Sequence, residues 1–138
     1  MKEKSCGAVI YKIDNSELNF LILKQTKGHH SFPKGHVENN ETEEDTAIRE
    51  IKEETNLDVN IDTNFRMKID YLVKDNKVKK EVIFFIATPI SFNLKCQEGE
   101  VESCYWYSYN EALNILEYDN YKNVLKKAYK YIKKSCNI

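Results

Sequence analysis

Glycine and proline are scarce in this chain, with four and two among 138 residues. That scarcity argues against a disordered polypeptide. No repeat, low-complexity tract or Pro/Gly-rich linker interrupts the sequence. No apolar stretch approaches the roughly 20 residues that span a bilayer, and the opening "MKEKSCGAVIYKI" holds too short an apolar run for a signal peptide. Charge of one sign is also missing. The formal net charge is -1, which gives no electrostatic reason to bind nucleic acid or to behave as an acidic tail. Cys6, Cys96, Cys104 and Cys136 lie far apart in sequence, without a C-x-x-C pair or zinc-ligand spacing to a histidine. A disulfide framework is therefore not expected, and the thiols read as buried or idle. These absences leave one domain over residues 1–138, expected in the cytoplasm, with 41% hydrophobic residues to build a core.

What is present alternates between strand and helix signals. "CGAVIYKI" and "LNFLILKQ" are rich in β-branched and aromatic residues and flank the turn "DNSE", so residues 5–25 read as a hairpin. "TKGHHSFPKGH" reads as a loop. A helix is expected from about Thr42 to Thr55, with Thr42 and Asp45 resembling a capping box and Ala47, Ile48 and Ile51 as its apolar stripe. "LDVNID", "FRMKIDYLV", "KKEVIFFIATPI" and "VESCYWYSY" read as strands, with "KDNK" as a turn. "YNEALNILEY" starts a helix for which Asn110 is a plausible cap. The last helix places Tyr121, Val124, Leu125, Ala128 and Ile132 on one face and most of its lysines elsewhere. The fold class is mixed α/β, a sheet with helices on it rather than regular βαβ alternation.

The acids of the first helix divide into two groups. Glu43, Glu44 and Asp45 sit at its start, where the helix dipole stabilises an anion by about 0.3–1 kcal/mol. Glu50, Glu53 and Glu54 sit at the opposite end, where the dipole disfavours them. Their three- and four-residue spacings place the carboxylates on one face, where like charges repel by roughly 0.2–0.5 kcal/mol per pair. Arg49 neutralises part of this. Such a cluster suits a hard divalent cation, Mg²⁺ or Mn²⁺, which takes oxygen ligands and bridges carboxylates to phosphates. The bland alternative is a solvated acidic face.

The wider spacing resembles a known motif. Gly35, five residues, Glu41, seven residues, then Arg49, Glu50, Ile51, Glu53, Glu54 and Leu57 resembles the Nudix box. Asn56 stands where the family has glycine, and Asn is the usual substitute in a left-handed helix end. The resemblance implies the Nudix fold, a mixed sheet between helices, and metal-dependent hydrolysis of a nucleoside diphosphate linked to another group. It implies Glu50, Glu53 and Glu54 as metal ligands, with a backbone carbonyl at Lys34 or Gly35. Arg49 would orient the glutamates, and Glu41 would support the ligands rather than bind the metal itself. Glu50, Glu53 or a late-loop acid, Glu100 first among Glu98, Glu100 and Glu102, would serve as base.

"GHHSFPKGHVE", "CGAVIY", Tyr71 and Lys80 further look like the asymmetric diadenosine tetraphosphate (Ap4A) hydrolases of the family. That likeness implies cleavage of Ap4A to ATP and AMP. His30, Lys34 and Lys80 would neutralise the polyphosphate. Tyr71, Tyr121 and Phe85 would be candidates to stack on adenine, and His29 is a further loop residue able to meet phosphate. The box leaves other Nudix substrates open: RNA 5′ ends, nucleoside triphosphates and ADP-ribose. A non-catalytic binding module, or a nucleic-acid site on the lysine-rich last helix, are the readings from other classes. The partner expected is a small-molecule nucleotide, without a membrane or a stable nucleic-acid partner.

Overall fold

The computed structural model describes residues 2–73 and 77–138. Most of the expected "KDNK" turn, residues 74–76, lies outside them. The chain runs β1 (Lys2–Asp14), β2 (Glu17–Gln25), β3 (His30–Ser31), β4 (Lys34–His36), α1 (Glu43–Thr55), β5 (Val59–Val73), β6 (Val78–Pro89), β7 (Val101–Ser108), α2 (Tyr109–Ile115) and α3 (Asp119–Ser135). The sheet order is β3-β2-β1-β6-β5, with β4 paired to β1 and β7 to β2. β1 is antiparallel to β2 and parallel to β6, so the sheet is mixed.

Period-two alternation explains how one sheet carries helices on both faces. Val9, Phe20, Ile22, Phe84 and Ile86 pack with Val124, Leu125 and Ala128 of α3. Ala8, Ile10, Leu21, Leu23, Ile83 and Phe85 pack with Ala47 and Ile51 of α1 on the other face. Burial of a side chain such as Ile51 stabilises by about 1.5–3 kcal/mol. The apolar face expected for α3 is buried at all five positions. In α1, Ala47 and Ile51 are buried but Ile48 is 39% exposed, so that stripe is narrower than expected.

Several local expectations change. The Thr42 hydroxyl accepts from the Asp45 N–H at 3.0 Å and caps α1, but the shorter Asp45 side chain makes no return bond in this cap. Asn56 takes the left-handed conformation (φ 66°) and its N–H closes the helix on the Lys52 carbonyl. Asn110 is not the cap of α2. Ser108 is, in a reciprocal capping box with Glu111. "LDVNID" and "FRMKIDYLV" form one continuous strand, β5, whose pairing register shifts between Asp62 and Met67. The "TKGHHSFPKGH" loop contains β3 and β4, too short to show periodicity and defined by their partners β2 and β1.

The cysteine expectation is corrected as well. Cys96 and Cys104 form a disulfide with Cα atoms 5.9 Å apart. The chain after β6 folds back through Gly99, at φ +86°, before entering β7, and this reversal brings together two residues whose spacing matches no familiar motif. Cys6 and Cys136 remain free.

Candidate active site

β4 determines where the acidic helix meets the sheet. Lys34 and Gly35 pair with Gly7 and Cys6 of β1. A Cβ on Gly7 would lie 2.0 Å from the Pro33 carbonyl oxygen, so the strands approach this closely only with glycine there. A Cβ on Gly35 would lie 2.0 Å from the Glu50 carboxyl, so Gly35 leaves the space that this carboxyl fills. The Lys34 N–H donates to Glu54 Oε1 at 3.0 Å. The box glycine and its neighbour thus touch the acids on α1 directly.

Arg49 organises the acids. It donates to both Glu41 oxygens at 2.7 and 3.0 Å, to Glu50 at 2.6 Å, to Glu53 at 3.3 Å and to the His36 carbonyl at 2.8 Å. The hydrogen bond to Arg49 holds the Glu41 carboxyl down at about 2. Burial raises Glu50 above the ordinary carboxylate range, with Arg49 opposing the shift. Glu54 is 8% exposed, and burial, with Glu50 and Glu53 adding to it, pushes its carboxyl up to about 8 despite the Lys34 N–H. A cation beside Glu54 would reverse that cost.

Among the described residues, no three His, Cys, Asp or Glu side chains are grouped so as to hold a metal by themselves. Glu53 is turned toward Arg49 and is 47% exposed. The carboxylate oxygens nevertheless fit a hard cation that keeps waters and takes phosphate oxygens as further ligands.

Glu50, Glu54, Gly35, Lys34, Lys80 and Glu100 line one cleft of about 580 Å³. Burial lowers the pKa of Lys34, partly countered by Glu54. Lys80 lies 3.6 Å from Glu3. The backbone carbonyl of Glu100 accepts from the Thr26 N–H at 3.3 Å, while Glu102 pairs with Lys24 outside this cleft. The loop carrying Glu100 is tied to α1 by N–H groups of Lys95 and Gln97 on the carbonyls of Thr55 and Glu54.

A second cavity of about 410 Å³ is lined by Tyr71, Tyr118, Asn120, Tyr121 and His29. Tyr121 is both core and lining: its ring lies 6.0 Å from Phe32 and 5.8 Å from Phe84, edge-on. Burial raises the Tyr71 and Tyr121 phenols. Phe85 is not part of this cavity. It is 3% exposed in the core on the α1 side, because it points to the opposite sheet face from Phe84. His30 lines neither cavity and is bonded to Glu117. His29 lines both, so the two cavities border each other there. Tyr118 and Asn120 were missed in the sequence. The three-residue spacing of Tyr118 and Tyr121 at a helix start was the available signal.

A NUDIX domain profile matches residues 2–129. The chain belongs to the NUDIX family. This bears out the resemblance carried by the acidic helix, and with it the enzyme class of Nudix pyrophosphohydrolases. The mouse protein named bis(5′-nucleosyl)-tetraphosphatase [asymmetrical] is 28% identical over 144 residues, covering 96% of this chain and 97% of its own. The Caenorhabditis elegans protein of the same name is 29% identical over 132 residues, covering 92% and 94%. A crystal structure of a C. elegans Ap4A hydrolase binary complex superposes with a TM-score of 0.87 at 27% identity, covering 96% of this Nudix chain and 98% of that one.

Among the described residues, no helix is long and apolar enough to cross a membrane.

Proposed function

We propose that this Nudix hydrolase cleaves diadenosine tetraphosphate asymmetrically, to ATP and AMP, with Mg²⁺ or Mn²⁺. The observation that carries the reading is that two cavities share His29 in their lining: an aromatic one, and a polar one lined by Lys34, Lys80, Glu50 and Glu54. A dinucleoside polyphosphate has the matching sequence of chemistry, a flat base followed by a chain of anions. Tyr71 and Tyr121 stack on one adenine, an interaction worth about 1–3 kcal/mol per base. Lys34 and Lys80 neutralise the phosphates between the base and α1. Their placement is supported by the shared cleft. His30 acts through the loop it anchors, next to His29, which lines both cavities.

Glu50, Glu53 and Glu54, with the Gly35 backbone carbonyl, would hold the divalent ion, which supplies phosphoryl polarisation and a more acidic water. Arg49 holds the Glu50 and Glu53 carboxyls in place through its hydrogen bonds. Glu100, across the cleft, takes the proton of the attacking water, and Glu50 and Glu53 are the other bases in reach of that role. Catalysis then rests on positioning and on neutralising charge on the transferred phosphoryl group. Residues 1–138 act as one catalytic domain in the cytoplasm, on a small-molecule nucleotide and without a nucleic-acid partner.

The test is a panel of dinucleoside polyphosphates, ADP-ribose, nucleoside triphosphates and 5′-triphosphate RNA, each with Mg²⁺ and with EDTA. The expected result is Mg²⁺-dependent release of ATP and AMP from Ap4A in preference to the other hydrolyses. Survival of Ap4A alongside efficient cleavage of another member overturns the substrate assignment. Turnover in EDTA overturns the metal assignment.

A further inference from the structure

Glu117 lies between α2 and α3, outside both cavities, yet both its oxygens are committed. The His30 backbone N–H donates to Oε1 at 2.8 Å, and His30 Nδ1 lies 2.7 Å from Oε2. One carboxylate therefore grips a backbone and a side-chain nitrogen of one residue, 87 positions away in sequence. The neighbours repeat the contact: the Tyr118 ring lies 5.9 Å from the His29 ring.

Apart from this grip and the bonds of Thr26 to the Glu100 carbonyl, the restraints on the segment are local. β3 is two residues long and pairs with β2. The turn before it closes on itself, with the Gly28 N–H on the Gln25 carbonyl and the Gln25 N–H on the His29 carbonyl. Gly28 meets nothing within 4 Å of its Cβ position. The other wall is rigid, since Tyr121 is wedged against Phe32 and Phe84. The side that needs holding is therefore the His29 side.

We propose that Glu117 is a positioning residue that clamps the His29–His30 segment against the start of α3 and so sets the joint between the base cavity and the phosphate cleft. The inference rests on reading the two cavities as base and phosphate sites. A ligand that spans the joint depends on the clamp. A ligand confined to the cleft keeps Lys34 and Lys80, neither of which Glu117 touches, and depends on the clamp far less.

Two probes separate these cases: ATP, which has a base and phosphates, and inorganic tripolyphosphate, which has phosphates alone. Calorimetric binding to wild type, Glu117→Ala and Glu117→Gln needs no turnover. For Glu117→Ala, ATP affinity is expected to fall about tenfold, equivalent to about 1.4 kcal/mol, with tripolyphosphate affinity within about twofold of wild type. KM for the hydrolysed dinucleotide rises by a similar factor while kcat changes little. Glutamine restores most of the loss, because its carbonyl still accepts the His30 N–H and its amide can donate to Nδ1. Equal weakening of both probes, unchanged ATP binding, no ATP binding by wild type, or a glutamine variant as poor as alanine overturns the proposal. Failure of wild type to hydrolyse Ap4A while the ATP and tripolyphosphate pattern holds overturns the substrate assignment instead.

Discussion

Gly35→Ala tests the geometry of the site most directly. The added methyl group would be centred 2.0 Å from the Glu50 carboxyl carbon and from one of its oxygens. Carbon–carbon contacts are most favourable at about 3.5–4.0 Å, so a shift of roughly 1.5 Å or more is required. The atom in the way is the end of a flexible side chain. The carboxylate therefore swings aside, and β4 stays paired to β1. The swing breaks the 2.6 Å bond from Arg49 and draws Glu50 away from the cleft. Stability then falls by about 1 kcal/mol, the low end of what overpacking costs, whereas a misplacement of about 1 Å at a reacting centre costs about 100-fold in rate. Turnover of the best panel substrate at saturating Mg²⁺, with thermal unfolding of the same samples, measures both. The expected result is a loss of about 100-fold in kcat with a melting temperature lowered by only a few degrees. Near-wild-type turnover, or activity lost in step with folding, refutes the argument.

The acidic helix and the loop after β6 give further outcomes. The Glu54 carboxyl rises from 4.5 to about 8 in the fold, so without metal the native state keeps a proton that the unfolded chain releases. The metal-free protein is therefore expected to lose stability as pH climbs through that window. Glu54→Gln should abolish most hydrolysis yet flatten this pH dependence, and matching pH slopes in urea unfolding of the two proteins would contradict it. Replacing Cys96 and Cys104 together by alanine removes a cross-link over a sequence separation of 8, expected to cost about 2.5 kcal/mol from loop closure. Turnover should also drop, since Glu100 lies within the loop, and an unchanged denaturation midpoint would mean the backbone bonds to Glu54 and Thr55 hold the loop alone.

Legibility in the sequence followed the range of the interactions. The hairpin, α1 and α3 were readable because periodicity and turn residues act within a few positions. The cap of α2 was misplaced by two residues, since both Ser108 and Asn110 have suitable side chains and only the reciprocal bond to Glu111 separates them. Phe84 and Phe85 were indistinguishable by type. Pairing with β1 sends one to the α3 side of the sheet and the other to the α1 side. The same limit applies to His29 and His30, adjacent and identical, one lining the cavities and the other bonded to Glu117.

The sequence by itself determined the family and the acidic helix, because the Nudix spacing is local and its glutamates are set by helical geometry. It also placed Gly35 in the motif, as a backbone position near the metal, though not as the residue that leaves room for an acid. Tertiary structure alone decided that this acid is Glu50, that Cys96 meets Cys104, and that an aromatic cavity borders the acidic cleft at His29. Each of those is a contact between segments whose separation in space depends on how the sheet is ordered, and strand order leaves no periodic trace in the chain.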